Sequence, residues 1–344
     1  MKKLVIKDIA RLAGVSLSTV SKAINDYDTI PLATKEKIRG IIKKMGYSPL
    51  KSAKALRSGR NDAIAFMSGR ISAHFTAEIL NAIEKKTFSA GRYKHAVIPF
   101  STDYDEEIAL EIFNKILYGG EAAALVALAV NPQPDMLLKY KNAGIPVILM
   151  ENNMENAHSV NIDNRKGGFM AAEYLVKSGR KRIGLICGGL RAGSRCGYSY
   201  VAAERKAGFE EALKRYGIKN DKRYLELAKD YTIKEGEELF GNFINKGAKP
   251  DAVFCASSDM TAIGVMESAK KRGLKIPHDL AVIGFDDSPT SAFLNPPLSS
   301  VRQPIDSLGE AIFETAVNAI DGKLDKESHI VIEPELIIRQ SAKT

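Results

Sequence analysis

Cysteine is scarce: three residues, at 187, 196 and 255. The odd number and the absence of zinc-type spacing exclude a disulfide framework and a structural zinc, and leave buried reduced thiols. The five histidines, at 74, 95, 158, 278 and 329, are scattered. No GxxxxGK(S/T), HExxH or GxSxG motif occurs, so nothing in the chain asks for catalysis, a metal or a cofactor. No run of eighteen apolar residues exists, which excludes a membrane-spanning helix. The opening MKKLVIKDIA has too few apolar residues for an export signal, and a cytoplasmic location is expected. Acidic residues are rare in the first sixty positions: 4 against 14 Lys/Arg, a net of +10 where the whole chain nets +9. The remainder is therefore nearly neutral, and the basic charge sits in one segment, as contact with nucleic-acid phosphates requires.

That segment is also patterned. Ile6, Ile9, Ala10 and Ala13 recur at i, i+3, i+4, i+7, one apolar face of a short helix. Gly14 suits the left-handed residue that ends it, and Ser16 offers an N-cap oxygen to a second helix. There Ser18 and Lys22 share one face, while Val20 and Ile24 share the nearly opposite one. A buried seam with a polar outer face is what a helix-turn-helix needs. A plain helical bundle fits the periodicity alone; the charge bias separates the two. Ile38, Ile41, Ile42 and Met45 continue at helical spacing as a third helix.

Beyond Asn61 the pattern changes. At 344 residues with 45% hydrophobic content the chain allows two or three globular domains. Apolar runs at 63–67, 95–99, 123–128 and 146–150, then at 183–187, 252–256 and 281–285, read as buried parallel strands. Amphipathic stretches at 75–90, 106–117, 166–177, 203–216, 234–245 and 260–272 read as the helices between them. Two such series predict a doubly wound α/β core of two lobes.

The stretch VIKDIARLAGVSLSTVSKAIND, then GYSP at 46–49 and VIGFDDSPTSAFLNPPLSSVRQPIDSLGEAI at 282–312, resembles the lactose-repressor (LacI/GalR) family of bacterial transcriptional regulators over essentially the whole chain. The resemblance implies an N-terminal three-helix helix-turn-helix DNA-binding domain (1–48), a hinge helix or linker (49–60), and a periplasmic-binding-protein-like effector and dimerisation core (61–344). Its N-lobe would span about 61–160 and 291–322, its C-lobe about 161–290 and 323–344, with crossings near 161, 290 and 322. It implies a repressor that binds a palindromic double-stranded operator as a homodimer under control of a small, sugar-like metabolite.

By that resemblance Leu17, Ser18 and Lys22 read base edges, and Ser16, Thr19, Ser21, Asn25 and Tyr47 bond phosphates. In the hinge, Leu56 matches a leucine that wedges into the minor groove and Ala53 a small residue beside it, while Lys54 and Arg57 lie near phosphates. Val5 and Pro31 depart from the pattern where capping hydroxyls are common. Ser72, His74, Phe75, Glu151, Arg205, Ser258 with Asp259, and Asp286 match effector positions at the carboxyl ends of strands. The segment 191–204 is about seven residues longer than the simplest family pattern. Its Arg191 and Arg195 suit an anionic metabolite, and a surface loop without a ligand role suits it equally. A phosphocarrier protein acting as corepressor, known within the family, is a further partner. A solute-binding protein is the competing reading, and it fits badly with a basic helical head. No heptad tail follows Arg339, so a dimer rather than a coiled-coil tetramer is expected.

Overall fold

The computed structural model describes residues 6–24, 29–45, 62–89, 95–190 and 199–343. The chain divides into two units, Met1–Asn61 and Asp62–Thr344.

The first unit contains α1 (Ile6–Ala13), α2 (Leu17–Ile24) and α3 (Leu32–Met45). Ile9, Ala10 and Ala13 of α1 meet Val20 and Ala23 of α2 and Ile38 of α3 in one buried cluster. Gly14 takes a φ of +68°, and the Val15 amide returns to the Ala10 carbonyl at 3.1 Å. This left-handed turn lets α2 start at once. Ser16 Oγ caps it, accepting from the Thr19 amide at 3.1 Å. At Pro31 no hydroxyl caps α3; the proline carbonyl accepts from the Thr34 and Lys35 amides instead. Met45, expected on the apolar face of α3, is exposed.

The second unit is built on two six-stranded sheets. The first contains β1 (Ile64–Ser68), β2 (Val97–Ser101), β3 (Ala124–Leu128), β4 (Val147–Met150), β5 (His158–Ile162) and β11 (His329–Ile332), in the order β11-β5-β4-β3-β1-β2. The second contains β6 (Ile183–Cys187), β7 (Leu225–Leu227), β8 (Ala252–Cys255), β9 (Ala281–Asp286), β10 (Ser299–Arg302) and β12 (Glu335–Ile337), in the order β12-β10-β9-β8-β6-β7. All pairings are parallel except β10 with β12. Strands buried on both faces explain the continuous apolar runs of the sequence. In β1, Ile64 and Phe66 join one core and Ala65 and Met67 the other.

The helices are α4 (His74–Ser89), α5 (Glu106–Gly119), α6 (Pro134–Asn142), α7 (Asn164–Lys177), α8 (Tyr200–Arg215), α9 (Ile233–Asn245), α10 (Asp259–Lys271) and α11 (Ile305–Ile320). Helices α7 and α8 cross at backbone contact. A Cβ at Gly168 would sit 2.1 Å from the Arg205 carbonyl oxygen, and one at Gly208 would sit 1.8 Å from that of Arg165. Only glycine fits both positions.

The chain passes between the sheets three times: at 163, at 303–304 and at 333–334. The first lies two residues from its expected place near 161. The other two correct the expected 290 and 322. Residues 299–302 pair with β9 and so belong to the second lobe, and residues 329–332 pair with β5 and so belong to the first. The reason is chemical: Ser299 and Ser300 of β10 are fully buried through hydrogen bonds, and β11 is a half-exposed edge strand. The first is polar, and the second has only three apolar residues in a row.

Among the described residues no helix is long and apolar enough to cross a membrane, and no group of three His/Cys/Asp/Glu could hold a metal. Cys187 and Cys255 are free and buried; burial pushes the Cys187 thiol up to about 12. Cys196 lies outside the described residues.

Candidate functional site

Two groups of side chains were expected to act, and each is built within its own unit. On α2 the residues Leu17, Ser18 and Lys22 are exposed while Val20 and Ala23 are buried. Leu17 is 43% exposed, which for a leucine in so small a unit leaves an apolar contact on offer. Thr19 and Ser21 are half-buried. The Ser16 hydroxyl is shared between the helix cap and Thr19 Oγ1 at 2.9 Å. Asn25, Tyr47, Ala53, Lys54, Leu56 and Arg57 lie outside the described residues.

In the second unit, Ser72, His74, Phe75, Glu151, Arg205, Ser258 and Asp286 all line one cavity of about 370 Å³ between the two sheets. Each wall comes from the carboxyl end of a strand or the helix that follows it, where the backbone diverges and leaves a crevice. Two of the carboxylates sit on strained backbone: φ is +60° at Glu151 and +104° at Asp286, with Asp287 at +53°. Left-handed conformations at non-glycine residues cost of order 1–3 kcal/mol and gather at functional sites.

Arg205 organises the floor. It is 4% exposed. Its Nε donates to Asn164 Oδ1 at 2.7 Å and its Nη1 to the Ala256 carbonyl at 2.8 Å. The guanidinium lies 3.6 Å from the centre of the Phe285 ring, and Nη2 stands 3.9 Å from Glu151. Burial lowers the Arg205 pKa, opposed by the charges of Glu151 and Asp286. Burial likewise raises Glu151 against the pull of Arg205. Asp286 accepts from Gln303 Nε2 at 2.7 Å. Burial, opposed by Arg205 and reinforced by Asp259, pushes its carboxyl up to about 8.

Two expected residues have structural duties as well. Ser258 is the N-cap of α10, accepting from the Thr261 amide at 3.3 Å. His74 begins α4 and is exposed. The sequence reading missed other walls: Ser68 after the first apolar run, Tyr104, Asn131, Asp230, Tyr231 and Ser257. Asp259, expected beside Ser258, reaches the cavity too, but both its oxygens are committed, Oδ1 to Ser300 and Oδ2 to Ser291 and the Ser288 amide. Asp287 is held by Arg302 at 2.8 Å and Arg339 at 2.6 Å.

The family model "Bacterial regulatory proteins, lacI family" matches residues 5–49, and "Periplasmic binding protein-like domain" matches residues 172–342. The chain is 30% identical over 343 residues to the HTH-type transcriptional regulator DegA of Bacillus subtilis (strain 168), covering 98% of each chain. It is 30% identical to the HTH-type transcriptional repressor PurR of Salmonella arizonae over 341 residues, 98% of this chain and 96% of the relative. Among solved structures, a lac repressor dimer bound to operator and the anti-inducer ONPF superposes with a TM-score of 0.84, at 22% identity and full coverage of both chains.

Proposed function

The chain belongs to the lacI family of bacterial regulatory proteins and is a sequence-specific DNA-binding transcriptional regulator rather than an enzyme, and we propose that it is a repressor whose grip on a palindromic operator is set by a sugar-like metabolite in the interlobe cavity. The observation that carries this reading is the convergence of seven separately numbered residues, from Ser72 to Asp286, on one cavity. The same chain carries a helix face of Leu17, Ser18 and Lys22 free to meet base edges. Leu17 offers apolar contact to a thymine methyl, and Lys22 can donate to guanine O6 and N7. Ser16, Thr19 and Ser21, with Asn25 and Tyr47, supply phosphate contacts that fix register. Leu56, flanked by Ala53, Lys54 and Arg57, enters the minor groove when two subunits meet.

The chain acts as a dimer on DNA under a small-molecule effector. A ligand that changes the angle between lobes changes the spacing of the two hinge segments. A coupling of about 1–3 kcal/mol alters operator affinity roughly five- to 150-fold. A phosphocarrier protein as corepressor is a second route to the same control.

Selection of bound duplexes from a random library by the full-length protein, with and without a small-molecule cell extract, tests the reading. A recovered palindrome is expected in one of the two conditions. If it requires extract, the ligand is a corepressor; if extract abolishes it, the ligand is an inducer. No enrichment in either condition overturns the proposal.

A further inference from the structure

The charge inventory of the cavity is unbalanced. Its described walls carry four carboxylates, Glu151, Asp230, Asp259 and Asp286, against two arginines, Arg70 and Arg205. Arg70 is paired, and Arg205 is held mostly by neutral acceptors. Arg70 donates to Asp103, outside the cavity wall, at 2.8 Å. Arg205 spends two of its nitrogens on Asn164 and Ala256 and offers Glu151 only a 3.9 Å approach. Asp259 is satisfied by three donors. Glu151 and Asp286 are not: Glu151 has that one long ion pair, and Asp286 has the neutral amide of Gln303. Among the described walls, an anionic ligand would face these two carboxyl groups with only Arg205 and the Asp103-paired Arg70 as cations, and Arg205 Nη2 already stands 3.9 Å from Glu151.

A second, independent observation concerns hydroxyls. Ser68 Oγ, on a side chain that is 1% exposed, has no hydrogen-bond partner among the described residues, and neither has the buried Oγ of Ser257. Both residues line the cavity, Ser68 from the first lobe and Ser257 from the second. A buried hydroxyl without a partner costs about 1–3 kcal/mol, and rotation of either serine toward the cavity would let a polar ligand recover it. Phe75 adds an aromatic surface on the same cavity.

We propose that the cavity takes a polyhydroxylated amine, such as an amino sugar, with its ammonium between Glu151 and Asp286 and its hydroxyls on Ser68 and Ser257. This rests on the cavity being the effector site. An ammonium donates to both carboxyl groups and favours their ionised forms, which a neutral hydroxyl does not do.

The test is isothermal titration of the full-length protein with glucosamine, galactosamine and mannosamine, each beside its parent hexose and its N-acetyl derivative. At least one amine is expected to bind tenfold or more tightly than both of its neutral partners. Glu151→Gln and Asp286→Asn should each erase that preference, and Ser68→Ala should weaken amine and hexose alike. A hexose that binds as tightly as its amine, with affinity sensitive to Asp286→Asn, overturns the ammonium assignment and keeps the cavity as the effector site. Sugar binding indifferent to all three substitutions overturns both. Binding of none of the nine probes also overturns the proposal, and the operator selection with extract then judges the effector reading by itself.

Discussion

Asp286 and Arg205 were legible as residues because each follows a recognisable string: Asp286 ends the apolar run AVIGF, and Arg205 opens RKAGF. Ser68 and Ser257 were not, because an unsatisfied hydroxyl has no sequence signature; it emerges only when neighbouring atoms can be counted. The titration of Asp286 gives a direct check. Its folded pKa of about 8 lies above the unfolded value near 4. The stability linked to it is therefore complete below about pH 4 and is lost as pH rises through about 8. Asp286→Asn removes the charge that costs stability. The variant's melting temperature, relative to the wild type, is expected to climb from pH 5 to about pH 8 and level off above it; a pH-independent difference would refute the assignment. At Leu56, the predicted minor-groove wedge, Leu56→Ala should keep non-specific DNA binding and lose most operator affinity in a competition assay. Equal operator affinity of the two proteins would remove Leu56 from the reading face.

Among the elements, the buried parallel strands were located to within about three residues by their apolar runs, since a strand covered on both faces has no polar side to interrupt it. Strand β10 escaped because its interior is made of serine, and the acceptors that make such burial tolerable, such as Asp259 and the Arg339 carbonyl, lie forty residues away in sequence. Strand β5 escaped for the same reason, with Ser159 and Asn161 in its buried interior. The helix pair α7–α8 carries a stability prediction. A methyl group at Gly208 has nowhere to go, because Arg165 and Phe169 backbone atoms occupy the space. Gly208→Ala should cost about 2–3 kcal/mol or more by overpacking, seen as an earlier urea midpoint. A glycine-to-alanine change that stabilises, as at an open helical site, would mean that the helices do not touch there.

For the whole molecule, the uneven charge predicts a strongly salt-dependent grip on DNA. With +10 in the first sixty residues and two such heads on one operator, raising salt from 50 to 200 mM should weaken operator binding about a thousandfold or more. Titration of a labelled operator duplex across that range reads the slope directly. A flat dependence would mean that phosphate contacts contribute little.

Residues 286 and 287 adjoin in the chain yet answer to different masters. Asp287 is clamped by Arg302 and Arg339, so that part of the backbone stays where the second sheet puts it. Asp286 instead faces whatever enters, and its carboxylate is tied to Gln303, in the second of the three crossings between the lobes. Occupancy of the cavity is thus felt at the joint itself, through a single hydrogen bond. A molecule that draws the Asp286 carboxylate toward itself must loosen, or drag along, a residue of one interlobe crossing.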